Sequence, residues 1–279
     1  MTQEPFEALT DKISRERGIS CASYKDKCLK RRIAVRMRAR GVHTYQDYAK
    51  LLDQDAREYQ ELLDTLTINV TKFFRNAETW TALQPYLAEL AKRRAPAELR
   101  AWSAGCASGE EPYTIAVVLA EALGESARER ASVDATDIDR LSLERTRQAQ
   151  YPESAFTEMP ADLKRRYVAG GQPVDRIRAA VHVLAHDLTH EPPPRPLYDL
   201  IVCRNVVIYF ERQAQERLFQ VFVHALRPGG VLLLGKVETL FGPARERLTL
   251  VDPRERIYVK PTSPLSGPER GPGGPGGED

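Results

Sequence analysis

The stretch Trp102-Ser103-Ala104-Gly105-Cys106-Ala107-Ser108-Gly109-Glu110-Glu111-Pro112-Tyr113 decides the fold, because it is a turn of small residues between a short apolar run and an amphipathic one. Leu99 to Trp102 has the composition of a buried strand. From Tyr113 to Leu123, Ile115, Val118, Leu119 and Leu123 recur at helical spacing, so the order is strand, turn, helix. Glycine at 105 and 109 lets ligand atoms come close to the backbone. A dinucleotide fingerprint would place glycines at 105, 107 and 110. Here the last two are Ala107 and Glu110, and carboxylates at a helix start repel a pyrophosphate. The turn therefore favours a nucleoside ligand without phosphate. S-adenosylmethionine meets that condition, since its ribose, ammonium and sulfonium can all be held by an acidic or polar rim.

Outward from this turn the chain divides in three. Up to about residue 72 every periodic segment is helical, with Gly18 and Gly41 as stops and no strand signal between them. A connecting segment, 73–95, ends near Pro96. From there short β-rich runs alternate with helical ones, the pattern of an α/β sheet. Strands are expected over 99–104, 132–136, 180–185, 198–203 and 231–234, and a hairpin over 248–251 and 257–260. The segment 261–279, dominated by Gly, Pro and Ser, is expected to be disordered. With 279 residues, 42% of them hydrophobic, the chain has enough apolar material for a core split once. The net charge of +2 gives no general affinity for nucleic acid. No apolar run is long enough for a membrane span and no signal peptide is legible, so a cytoplasmic location is expected. Cys21, Cys28, Cys106 and Cys203 lack paired spacing and read as reduced thiols.

Five segments carry chemistry: 69–75, the turn itself, 135–139, 186–188 and 203–210. All but the first lie where parallel strands end, the edge at which ligands collect in open α/β sheets. Asp137, after the second strand, is placed to accept from both ribose hydroxyls; its bland alternative is a helix N-cap, for which Asp139 is the better candidate. Glu110 and Glu111 either complement a helix dipole or face a ligand ammonium. His182, His186 and His190 stand four apart, but on a strand end rather than a helix, so no metal site is expected. Phe73 and Phe74 read as core, and Trp80 and Trp102 as packing between domains. In the helix from Lys25 to Arg40, Lys27, Arg31 and Arg38 share one face and Lys25, Arg32 and Arg36 another, with Asp26 the only acid. The plain reading is a solvated face; the functional one is an acidic protein partner.

The strings INVTKFFRNAETW, WSAGCASGEEPYTIAVVL, ATDID, YDLIVCRNVVIYF and LRPGGVLLLGKVET, in this order, resemble the CheR family of chemotaxis receptor glutamate O-methyltransferases. The stretch YKDKCLKRRIAVRMRARGVHTYQDYAKLL is similar to that family's receptor-facing helical domain, so the resemblance runs over roughly residues 8 to 260. It implies a class I S-adenosylmethionine-dependent methyltransferase fold: a Rossmann-like α/β sheet with an antiparallel C-terminal hairpin, preceded by a small all-α domain. The implied division is a receptor-recognition domain over 1–72 and a cofactor-binding domain over 96–260. By the same resemblance Asn69, Thr71, Arg75, Glu111, Asp137, Asp187, Leu188, Arg204 and Asn205 line the cofactor, and Tyr209 borders the methyl group. Arg75 and Tyr209 are the candidate catalytic residues. Lys27, Arg31, Arg32, Arg36 and Arg38 would face a glutamate-rich receptor helix bundle. Family members that dock on a receptor's C-terminal peptide carry a small antiparallel insertion where this chain has a short segment with Gly170-Gly171, so recognition through the helical domain alone is expected. The implied reaction yields glutamyl methyl esters and S-adenosylhomocysteine; the competing readings are another acceptor or a non-catalytic, cofactor-sensing adaptor. A glutamate side chain is ionised at neutral pH and needs no general base, so catalysis should rest on alignment.

Overall fold

A computed structural model describes residues 4–66, 71–124 and 130–262. The first of these segments folds as four helices: α1 (Pro5–Arg17), α2 (Asp26–Ala39), α3 (Tyr45–Gln54) and α4 (Ala56–Leu66). Gly18 ends α1 in the left-handed conformation, at φ 75°, and Thr44 caps α3 by accepting from the Asp47 N–H. Leu9, Ile13, Leu29, Ile33, Tyr48 and Leu62 meet in a core of their own. Glu58 is fully buried beside it. It accepts from the Tyr48 hydroxyl at 2.7 Å and from Arg36 Nη2 at 2.6 Å and Nε at 3.1 Å. Burial alone would push its carboxyl up, but Arg36 and Tyr48 outweigh burial and hold it below the ordinary value.

Helix α5 (Ala77–Arg94) leads into a seven-stranded sheet. Its strands are β1 (Leu99–Ala104), β2 (Ala131–Asp137), β5 (Val181–Ala185), β6 (Tyr198–Cys203), β7 (Leu226–Leu234), β8 (Thr249–Asp252) and β9 (Ile257–Val259), in the spatial order β5-β2-β1-β6-β7-β9-β8. The first five are parallel; β9 runs antiparallel to β7 and to β8. This is the expected α/β sheet with its antiparallel C-terminal pair. Helices α6 (Glu110–Leu123), α7 (Arg140–Gln148), α8 (Ala161–Tyr167), α9 (Asp175–Ala179), α10 (Arg212–Ala225) and the single turn α11 (Pro243–Glu246) complete the architecture.

Both faces of the sheet are covered, which is why its central strands are buried at almost every position rather than alternately. Leu200 and Val202 of β6, with Val231 and Leu233 of β7, pack toward α5 and α6. Ile201, Cys203, Leu232 and Leu234 pack toward Leu218, Phe219 and Phe222 of α10. Trp102 stacks on Tyr198 and meets Phe222 edge-on, both at 5.5 Å, and Trp80 belongs to the opposite layer. Both indoles therefore lie inside the sheet layers, not between domains as the sequence reading had it.

Two local expectations are also corrected. Strand β7 begins at Leu226 rather than 231: Pro228-Gly229-Gly230 forms a bulge within it, with Gly229 at φ 77°, and Gly229 N–H donates to Lys260 O and Lys260 N–H to Gly230 O. The segment around Gly170-Gly171 does form an antiparallel hairpin, β3 (Val168–Ala169) and β4 (Gln172–Pro173), with two residues in each strand. No described helix is long and apolar enough to cross a membrane.

The helical segment is joined to the sheet beside the end of β6. Lys25 N–H donates to Tyr209 O at 2.9 Å, Glu211 N–H to Ser23 O at 2.8 Å, and Lys25 Nζ to Ile208 O at 2.8 Å. Tyr24 meets Phe210 edge-on at 5.1 Å.

Candidate functional site

At the carboxyl ends of β1, β2 and β6 two cavities adjoin, sharing Gly105, Ala107, Asn205, Val206 and Tyr209 as walls. Counting space open to solvent they enclose about 610 and 720 Å³, within the range of small-molecule sites. The first is mainly apolar: Tyr24, Leu66, Ile138, Leu188 and Phe210 surround Asp137. The second is polar, with Thr71, Lys72, Arg75, Glu111 and Arg204.

The glycines of the turn between β1 and α6 are required by the protein's own packing. Gly105 has φ +84°, and a Cβ there would lie 2.6 Å from Val206 Cγ2; at Gly109, φ +102°, it would lie 2.5 Å from the Tyr151 hydroxyl. Ala107 also has positive φ, 48°, and its N–H donates to Asp137 Oδ2 at 2.9 Å. Asp139 N–H donates to Asp137 Oδ1 at 2.9 Å, while Asp139 itself caps α7 by accepting from the Leu141 N–H. Asp137 is thus fixed by backbone donors and keeps further lone pairs for a ligand. Burial pushes its carboxyl up, and the backbone donors only partly offset this.

The two adjacent glutamates separate. Glu110 folds back to accept from the Ser108 hydroxyl at 2.7 Å and lines neither cavity. Glu111 accepts from Ser103 Oγ at 2.8 Å and faces Arg204, whose Nη1 lies 3.9 Å away. Burial raises the Glu111 carboxyl and lowers the Arg204 guanidinium. Arg204 Nη2 donates to Arg75 O at 3.0 Å and Asn76 Oδ1 at 2.8 Å, its guanidinium lies 5.4 Å from the Trp80 ring, and its buried Nε has no hydrogen-bond partner among the described residues. That orphaned donor, next to Arg75, is chemistry suited to a carboxylate ligand. Asp187 accepts from Thr189 N–H at 2.8 Å and His190 Nδ1 at 3.0 Å, and Leu188 is buried beside it.

Thr71, Arg75, Glu111, Asp137, Asp187, Leu188, Arg204, Asn205 and Tyr209 all line one cavity or the other, so the structure brings together sequence positions as much as 138 apart, from Thr71 to Tyr209. Asn69 lies outside the described residues. The histidines do not converge: His182 is exposed on the edge strand, His186 is buried edge-on to Trp102 at 5.6 Å, and His190 bonds Asp187.

The basic face of α2 is corrected in two places. Arg32 is 4% exposed and lines the apolar cavity, and Arg36 is committed to the buried Glu58. Both stand on the side of α2 that packs on α4 and the sheet domain. Lys27, Arg31 and Arg38 remain exposed.

Glu238 went unrecognised in the sequence. It is 3% exposed, and its carboxylate accepts from Gly235 N–H at 2.7 Å and from Asn205 and Val206 N–H at 3.0 Å each. A lone acid after an apolar strand carries no spacing signal; only the chain returning to the end of β6 gives it these partners.

Comparison with known proteins gives the same assignment for both halves. Residues 69–256 match the family described as CheR methyltransferase, SAM binding domain, and residues 4–67 match CheR methyltransferase, all-alpha domain. The chain is 35% identical over 253 residues to a chemotaxis protein methyltransferase of Klebsiella aerogenes, covering 86% of this chain and 85% of that protein. A protein of the same description from Listeria monocytogenes is 33% identical over 252 residues, covering 89% and 94%. One from Salmonella typhimurium is 36% identical over 256 residues, covering 86% and 85%.

Proposed function

Because this chain belongs to the CheR methyltransferase family, with an S-adenosylmethionine-binding domain over most of its length, we propose that it methylates glutamate side-chain carboxylates of chemotaxis-type receptors. The products are a glutamyl methyl ester and S-adenosylhomocysteine. The observation that carries the reading is the division of the site into an apolar cavity around Asp137 and a polar one bearing Glu111, Arg75 and Arg204, which meet at Tyr209. This division matches a ligand with an adenosyl end and a zwitterionic amino-acid end.

Bound there, S-adenosylmethionine supplies an electrophilic methyl group on a sulfonium. Asp137 accepts hydrogen bonds from the ribose hydroxyls, and Leu188 and Ile138 give the base apolar walls beside Asp187. Glu111 takes the ammonium; Arg75 and Arg204, whose planar forks suit two oxygens, hold the carboxylate. Thr71 and Asn205 complete the polar wall, and Asn69 stands in the same family motif. Tyr209 steers the acceptor oxygen at the rim. The acceptor enters ionised, so the protein provides alignment rather than a base.

The helical domain, residues 1–72 in this reading, docks the receptor. Its exposed Lys27, Arg31 and Arg38 supply the cationic face toward a glutamate-rich helix bundle, while Arg32 and Arg36 act from inside the enzyme. The test is incubation with methyl-labelled cofactor and receptor-bearing membranes, followed by alkali. Volatile methanol is the expected product. Alkali-stable label would mean a different acceptor, and absence of label an adaptor.

A further inference from the structure

Among the described residues, Arg32 is a buried cation without a counter-ion. It lies on α2, 4% exposed; Nη1 donates to the carbonyl of Leu66, the last residue of α4, and Nε and Nη2 have no partner among the described residues. Burial lowers its basicity, and no carboxylate is among the main influences that raise it. An arginine in such a place is a poor choice for folding alone, because a desolvated charge costs more than an apolar side chain of similar size. What it does have is a ring: the guanidinium carbon lies 4.3 Å from the centroid of Tyr209. Cation–ring attraction is strongest in a desolvated setting of this kind.

The turn that carries Tyr209 is held from the same side by its backbone. Lys25 N–H donates to Tyr209 O, Lys25 Nζ to Ile208 O, and Ser23 O accepts from Glu211 N–H. The segment Ser23–Lys25 leads directly into α2, so one element of the helical domain grips the main chain of the turn and, through Arg32, its aromatic ring. Tyr209 stands where the two cavities meet.

We infer that Arg32 is a positioning residue, through which the helical domain sets the Tyr209 ring at the junction of the two cavities, making that domain part of the methyl-transfer site as well as its docking surface. The inference rests on the methyltransferase reading above. It separates two roles on a single helix: Lys27, Arg31 and Arg38 face outward to a partner, whereas Arg32 faces inward to Tyr209.

The experiment is a double-mutant cycle in the full chain with R32Q, Y209A and both together, plus R32K, using a soluble cytoplasmic receptor fragment as acceptor. R32Q should lower kcat by about 10- to 100-fold, the range that displacement of a positioned group can cost. KM for the fragment should stay within about twofold; because Arg32 also lines the apolar cavity, calorimetric affinity for S-adenosylhomocysteine is read alongside and should fall by clearly less than kcat does. R32K should recover part of the loss, since an ammonium can also lie over the ring. In the Y209A background, R32Q should add no more than about a further twofold, because its route of action is gone. A rise in KM at constant kcat, a loss of cofactor-product affinity as large as the loss of kcat, or full additivity in the cycle would each overturn the inference. Should R32Q fail to melt cooperatively, R32K carries the cycle. A second readout needs no acceptor: 3-fluorotyrosine placed at position 209 should give a fluorine resonance that shifts and broadens in R32Q or R32K, and an unchanged resonance refutes the contact. If wild-type enzyme leaves the fragment unlabelled, it is the receptor reading that falls, and the fluorine resonance still decides for or against Arg32.

Discussion

Replacing Glu238 should loosen the cofactor site from behind. Its carboxylate is the acceptor for three backbone donors, with Oε2 serving Gly235 and Asn205 N–H at 2.7 and 3.0 Å and Oε1 serving Val206 N–H at 3.0 Å. In Glu238→Ala all three donors lose their partner. At about 1–3 kcal/mol for each buried donor left unpaired, the gross loss is on the order of 3–9 kcal/mol. Two terms reduce it: water entering the space, and relief of a carboxylate that burial already pushes up. A net loss of about 2–5 kcal/mol is expected, a large fraction of the 5–15 kcal/mol typical of a folded domain. Glu238→Gln should cost less, about 1–3 kcal/mol. Its amide oxygen can replace Oε2 and keep two donors, but its NH2 then meets the Val206 N–H donor to donor. Because Asn205 and Val206 wall both cavities, affinity for S-adenosylhomocysteine should fall in the same order, Ala more than Gln. Urea denaturation gives the stabilities and calorimetry the affinities. An Ala variant within about 0.5 kcal/mol of wild type, the scatter of an ordinary surface substitution, would refute the reasoning.

Gly105→Ala combines a strained left-handed φ with a Cβ 2.6 Å from Val206, so it should weaken cofactor binding by about tenfold or more, and titration showing wild-type affinity would contradict the close packing of this turn. Glu58→Ala leaves the Tyr48 hydroxyl without its acceptor and Arg36 with only Glu61, 3.4 Å away, and should destabilise the helical domain by about 1–3 kcal/mol in thermal or urea unfolding; a shift in receptor KM with unchanged stability would instead return Arg36 to the docking face. Burial raises the Glu111 carboxyl, so between its unfolded and folded values the folded protein holds a proton that the unfolded chain has lost, and stability falls as pH rises through that window. Glu111→Gln lacks this titration and should gain on wild type in urea midpoints as pH is raised from about 4 to 7, whereas a constant difference would mean the group is not perturbed. Over the same range wild-type affinity for the cationic cofactor should increase, since the ligand prefers the ionised carboxylate.

Much of the fold was legible because it depends on local pattern. Helical spacing with Gly18 and Gly41 as stops marks the first domain, and apolar runs ending in Asp or Arg-Asn mark the strand ends. Trp80 and Trp102 were misplaced because a buried sheet layer and a buried domain interface look alike in composition. The Pro-Gly-Gly of β7 hid the start of the strand because it is taken up as a bulge, tied by backbone bonds to Lys260, about thirty positions away.

The sequence by itself determined that an α/β sheet follows a helical domain and that Asp137, Glu111, Arg204 and Asn205 stand just after strand ends, since spacing and turn chemistry are properties of neighbouring residues. Only the tertiary structure decided that Arg32 and Arg36 turn inward while Lys27, Arg31 and Arg38 turn out, and that Glu238 ties the loop behind the site. The physical reason is that a helix of alternating cations shows its period but not which side meets another element. Burial, and with it the value of every charge, is set by contacts between segments far apart in the chain.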